Sequence, residues 1–187
     1  MKIEIFLKNL GIHAHPGLRI DRRLTGYQNF TFGCRVAFSR ANVRDLAHEL
    51  AHAAQFGPSA FETRALEHGF AFRTRFKYWN GQGYADPRTA RSTMRELETF
   101  AYGAHLLQLA GERLDLDRYF SEAARLMTKF MPDWALVPGD TEKARKAWCK
   151  KQAFHYYERR KAATVQRRLI AWLDLTAEKL KEVSNPA

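Results

Sequence analysis

The chain has 187 residues, 45% of them hydrophobic and 13% aromatic, with two cysteines and a net charge of +11. This is enough apolar material for one domain with a sizeable core, and it excludes a disordered chain. Two cysteines, Cys34 and Cys149, exclude a disulfide framework and a four-cysteine zinc ribbon, and they fit a reducing, cytoplasmic setting.

Met1 to Lys8 is too short and too charged for a signal segment, and it reads as a strand. No apolar run reaches the roughly 20 residues of a membrane span, so no membrane partner is expected. Residues 1–40 as a whole read as β structure and turns. Phe30, Phe32, Cys34, Val36 and Phe38 alternate with smaller or polar residues, the period of a half-buried strand. His13 and His15 fall in a turn-rich stretch and are read as loop residues.

A helix is expected from about Asn42 to Phe56, capped by Asn42 and stopped by Gly57-Pro58. Val43, Leu46, Ala47 and Leu50 form its apolar stripe, which leaves His48 and His52 facing a cleft. A second helix is expected over 60–79, with His68 on its inward stripe. A third begins at Asp86-Pro87 and stops at Gly111. A fourth covers about 117–130, and a long, broken one runs from Thr141 to about Val183. The expected division is a domain at 1–135 and a basic helical extension at 136–187, packed on the same domain or continuing it.

The helix over 42–56 carries the pentad His48-Glu49-Leu50-Ala51-His52. Histidines four apart on a helix point the same way and can bind one ion. The glutamate after the first is placed to accept a proton from water activated by that ion. One zinc ion is the expected cofactor. A hydrolytic site needs a third protein ligand, and three residues compete for the role: His68 first, then Glu98, then Glu96. The two glutamates lie about 200° apart on their helix, so only one could face the ion.

His68-Gly69-Phe70-Ala71-Phe72 is an HGxxF segment fifteen intervening residues after His52. With the pentad, it resembles the SprT-like zincin metallopeptidases over residues 30–80. That resemblance implies zinc held by His48, His52 and His68, Glu49 as general base, and a protein or peptide substrate. Many members of that group carry a zinc ribbon, which this chain cannot build. A glutamate ligand from the later helix would instead make the site gluzincin-like.

Tyr84, Arg91, Arg95, Tyr102 and His105 are candidates to stabilise an oxyanion, and Asp45 is a candidate to orient a histidine. Residues 142–182 hold 12 Lys/Arg and 5 Asp/Glu, a net +7. Lys143, Arg145, Lys146, Lys150 and Lys151 form one cluster, Arg159, Arg160 and Lys161 a second, and Arg167-Arg168 a third. Trp148, Phe154, Tyr156, Tyr157 and Trp172 are interleaved. Basic side chains can neutralise phosphates and aromatics can stack on bases, so DNA or RNA is a candidate partner.

The expected fold is therefore α+β, mostly helical and zincin-like, with a small N-terminal sheet packed on the HExxH helix. The expected function is a zinc metallopeptidase acting near nucleic acid. The alternative is a non-catalytic nucleic-acid-binding or regulatory protein with a structural or vestigial metal site.

Overall fold

The structure, a computed structural model, describes residues 1–21, 30–32, 35–37, 42–56, 91–131 and 133–184. The helix expected over 60–79, the HGxxF segment with His68, Tyr84 and Asp86-Pro87 lie outside these residues.

The first element corrects the first expectation. Ile3–Asn9 is a helix, α1, not a strand. Ile3, Phe6, Leu7 and Leu10 are buried while Ile5 is 48% exposed. The apolar spacing of three and four residues is the helical one, and it outweighs the shorter alternation Ile3, Ile5, Leu7. Gly11 ends the helix at φ 74°, with Ile12 N–H bonded to the Leu7 carbonyl.

The α+β, zincin-like class expected from the sequence is not what is observed. The fold is helical. Among the described residues, strand geometry amounts to three segments of three residues: β1 Arg19–Asp21, β2 Phe30–Phe32 and β3 Arg35–Ala37. β3 lies between the other two, parallel to β1 and antiparallel to β2. The single strand expected over Phe30 to Phe38 is thus two short strands paired with each other. Ile20 of β1 is partly buried against the core.

Helices α2 (Val43–Phe56), α3 (Arg91–Leu109), α4 (Leu116–Phe130), α5 (Glu142–Glu158) and α6 (Ala162–Ser184) carry the core. Local chemistry sets their ends. The Asn42 side chain accepts the Arg44 N–H at the start of α2, and Asp115 and Thr141 do the same for α4 and α5. Buried Asp133 serves α3 from a distance, accepting the N–H and hydroxyl of Thr93. Gly111, at φ 89°, closes α3 with Glu112 N–H on the Leu107 carbonyl. The long final helix is broken, as α5 and α6 on either side of residues 159–161.

α2 and α3 pack antiparallel. Ala47 lies opposite Gly103, His48 opposite Phe100, and Gln55 opposite Arg95. Small residues allow the approach: Ala47, Ala51, Ala53 and Ala54 of α2 and Ala101 and Ala104 of α3 are all fully buried. One hydrophobic cluster runs from Ile3 of α1 to Leu173 of α6, so residues on both sides of position 136 share it.

Candidate metal centre

α2 is buried on more sides than its apolar stripe implies. Glu49 and His52 are each only 4% exposed, so the histidine face meets α3 and not an open cleft. Ligand atoms of His48, Glu49 and His52 lie within 4.8 Å of one another. The His48 and His52 rings sit edge to face with centroids 4.8 Å apart.

Glu96 of α3 also faces both histidines. One carboxylate oxygen lies 3.2 Å from His48 Nε2 and the other lies 3.5 Å from His52 Nε2. Glu98 is engaged elsewhere. It accepts from Gln55 Nε2 at 2.9 Å and from the Tyr102 hydroxyl at 3.3 Å, and Arg160 stands 3.8 Å away. The sequence ranked Glu98 ahead of Glu96. A usable signal was Gly103, seven residues after Glu96 on the same stripe, which marks the face that approaches α2.

Thr99 and Gln55 back the second histidine. Thr99 Oγ1 lies 3.2 Å from His52 Nδ1 and 3.0 Å from both Gln55 Oε1 and the Arg95 carbonyl. Phe100 packs on the His48 ring at 4.5 Å and on Tyr119 at 5.9 Å. His48 Nδ1 is buried and has no hydrogen-bond partner among the described residues.

The electrostatics divide the pair. Burial pushes His52 down to about 4, against the pull of Glu96, so this imidazole is neutral near pH 7. Burial also opposes charge on His48, but the hydrogen bond and charge of Glu96, with Glu49 and Asp45 behind it, outweigh that and raise His48. Glu96 is itself disfavoured as a buried anion. The two histidines beside it, with the hydrogen bond from His48, nonetheless hold it down at about 2.

These residues suit a cation. Glu96 is held in its ionised form, and both pentad histidines turn Nε2 toward it. Two imidazoles and a carboxylate facing one point form a donor set that zinc accepts.

The remaining candidates are placed as follows. His105 stacks on Tyr157 at 4.2 Å, and its Nε2–H donates to the Tyr157 carbonyl at 3.0 Å, near the end of α5. It holds α5 to α3. Tyr102 belongs to the Glu98 group. Asp45 is half-buried at the start of α2 and acts on His48 through its charge. Arg95 is exposed and contributes its carbonyl to the Gln55–Thr99 group. Arg91 opens α3.

Burial lowers His105, outweighing its backbone hydrogen bonds. The folded chain therefore binds fewer protons there than the unfolded chain, and stability is lost as pH falls below the ordinary value of 6.5. The stability advantage of the native protein over H105Q is expected to narrow between about pH 7.5 and pH 5.5. Urea unfolding of both proteins at the two pH values checks this.

The basic region is largely committed to the fold. Trp172 is buried, and Trp148, Phe154, Tyr156 and Tyr157 pack against the core, so these aromatics form the inner side of α5 and α6. Arg168 donates to the Ala54 and Gln55 carbonyls and closes the C-terminal end of α2. Lys146 pairs with Glu142, Lys150 with Asp117, and Arg145 donates to the Gly139 carbonyl. Lys143, Lys151, Arg159, Lys161 and Arg167 are exposed. No helix of the described residues is long and apolar enough to cross a membrane.

Comparison with known protein families, with curated proteins and with solved structures returns no match to this chain. The resemblance to SprT-like zincins therefore rests on the sequence motifs, of which the structure shows the His48-Glu49-His52 group at metal-binding spacing.

Proposed function

We propose that this chain is a zinc-dependent peptidase in which His48, His52 and Glu96 hold one zinc ion and Glu49 is the general base. The observation that carries this reading is the Glu96 carboxylate shared between the Nε2 atoms of both pentad histidines. It favours Glu96 over Glu98 as the glutamate of a gluzincin-like set; His68, the first candidate from the sequence, lies outside the described residues.

A zinc ion held there supplies Lewis acidity, which makes water a nucleophile near neutral pH and polarises a carbonyl. The chain's own part is proton handling and exclusion of bulk water. Glu49, on the same helix turn as His48, takes the proton from the attacking water and delivers it to the leaving amine. Its burial keeps that carboxylate out of bulk solvent. Phe100, packed on His48, shields the ligand side.

The test uses purified protein, zinc analysis and a panel of unstructured protein substrates. Glu49→Gln is expected to keep zinc and to lose about 100-fold or more in kcat. Full activity in that variant would remove Glu49 from the mechanism. Zinc binding with no hydrolysis in the native protein would favour the non-catalytic alternative.

A further inference from the structure

Resting on that reading, we propose that Gln55 is a positioning residue: it holds the rotation of α3 against α2, so that Glu96 and not Glu98 faces the pentad histidines. Successive residues of a helix lie about 100° apart around its axis. Measured from Thr99, Glu96 stands about 60° to one side of α3 and Glu98 about 100° to the other. α2 crosses α3 between these two flanks, where Ala47 lies against Gly103. His48 and His52 meet the Glu96 flank. Gln55, three residues after His52, grips the other one.

Both ends of the Gln55 amide take part. Its Nε2 has two hydrogens and two acceptors, the Arg95 carbonyl at 3.0 Å and the Glu98 carboxylate at 2.9 Å. Its Oε1 lies 3.0 Å from Thr99 Oγ1, between the flanks. The same side chain hydrogen-bonds to His52. One residue of α2 thus holds the backbone and two side chains within one turn of α3. Gln55 is itself fixed, because Arg168 of α6 donates to its carbonyl and to that of Ala54. Glu98 is fixed from its other side by the Tyr102 hydroxyl at 3.3 Å. Ala47 and Gly103 allow the helices to approach but give the contact no direction. A turn of α3 that carried Glu96 away from the histidines would have to break both Gln55 Nε2 bonds.

The test reads nuclear Overhauser contacts in the metal-free protein, together with zinc affinity measured against a competing chelator. The native protein is expected to show contacts from the Glu96 side chain to both pentad imidazoles. Q55E keeps the size, but it sets one carboxylate against another and offers the Arg95 carbonyl no donor. It is expected to lose those contacts and to weaken zinc about 10-fold or more. E98Q still accepts through its amide oxygen and is expected to keep both readouts. The double variant Q55E/E98Q restores a bond between positions 55 and 98 with donor and acceptor exchanged. It is expected to regain the contacts and most of the affinity, a coupling that two independent losses of stability would not produce. Should Q55E fail to fold, Q55M, which keeps the length and offers no amide, is expected to show the same losses. Native contacts and native affinity in Q55E or Q55M would overturn the proposal, as would a double variant no better than Q55E or a native protein without the Glu96 contacts. A native protein that shows the contacts and binds no zinc would instead remove the functional reading, and the contacts in the variants would still decide the role of Gln55.

Discussion

Glu96→Gln is expected to lose more than about 100-fold in zinc affinity. Loss of a residue that merely orients a ligand costs 10–100-fold, and loss of the ligand itself costs more. Glutamine keeps the size and removes the charge. It offers one carbonyl oxygen where the carboxylate offered two, one toward each histidine. Glu98→Gln is the matched control, two residues away on the same helix. Glu98 accepts from Gln55 and Tyr102, so its variant is expected to retain zinc within a few-fold. Isothermal titration of the metal-free proteins with zinc reads both. Loss of zinc with Glu98→Gln and retention with Glu96→Gln would reverse the assignment.

Gly17→Ala is expected to be the most damaging small substitution in the described chain. A methyl group at Gly17 would stand 1.9 Å from the Leu173 carbonyl oxygen and 2.8 Å from its carbon, both backbone atoms of α6. Backbone in the middle of a helix cannot swing aside as a side-chain end can. The turn is also pinned from both sides. Gly17 N–H donates to His15 Nδ1, and His15 Nε2 lies 3.1 Å from Asp174 of α6. Relief therefore requires the N-terminal segment to lift from α6, at a cost of about 3 kcal/mol, the upper part of the overpacking range. For a chain of this length that is a fall of roughly 6–12 °C in Tm. Gly11→Ala is the contrast. Nothing lies within 4 Å of its added carbon, so only the positive φ is strained, at about 1 kcal/mol. Thermal melts of the two variants should separate clearly. A Gly17→Ala melt within a degree of the native one would contradict the close packing.

What was legible in the sequence was local. The pentad on its helix, the Asn42 cap, the stop at Gly111, and the break between α5 and α6 all follow from chemistry within a few residues. α1 was misread because seven helical residues are too few to separate a period of two from one of 3.6 when Ile3, Ile5 and Leu7 satisfy both in part. The sheet-bearing class followed from that misreading and from the alternation after Phe30, which ends as two three-residue strands beside a helical core.

The choice between Glu96 and Glu98 was not local at all. It depends on the rotation of α3 against α2, which Gly103 and Ala47 set by close approach. Likewise, no spacing rule links Thr99 to His52, since the contact spans 47 residues. The aromatics of the C-terminal region show the same limit from the other side. An interleaved basic and aromatic pattern describes both a base-stacking surface and an amphipathic helix, and packing against the core identifies Trp148, Phe154, Tyr156 and Tyr157 with the second.

The central claim is that two imidazoles of α2 and one carboxylate of α3 hold a single zinc ion. X-ray absorption at the zinc edge of the loaded protein tests it directly. The account predicts one tightly bound zinc with nitrogen and oxygen neighbours at about 2.0–2.2 Å and scattering from two imidazole rings. Three imidazole rings, a sulfur neighbour near 2.3 Å, or no tightly bound zinc would contradict it.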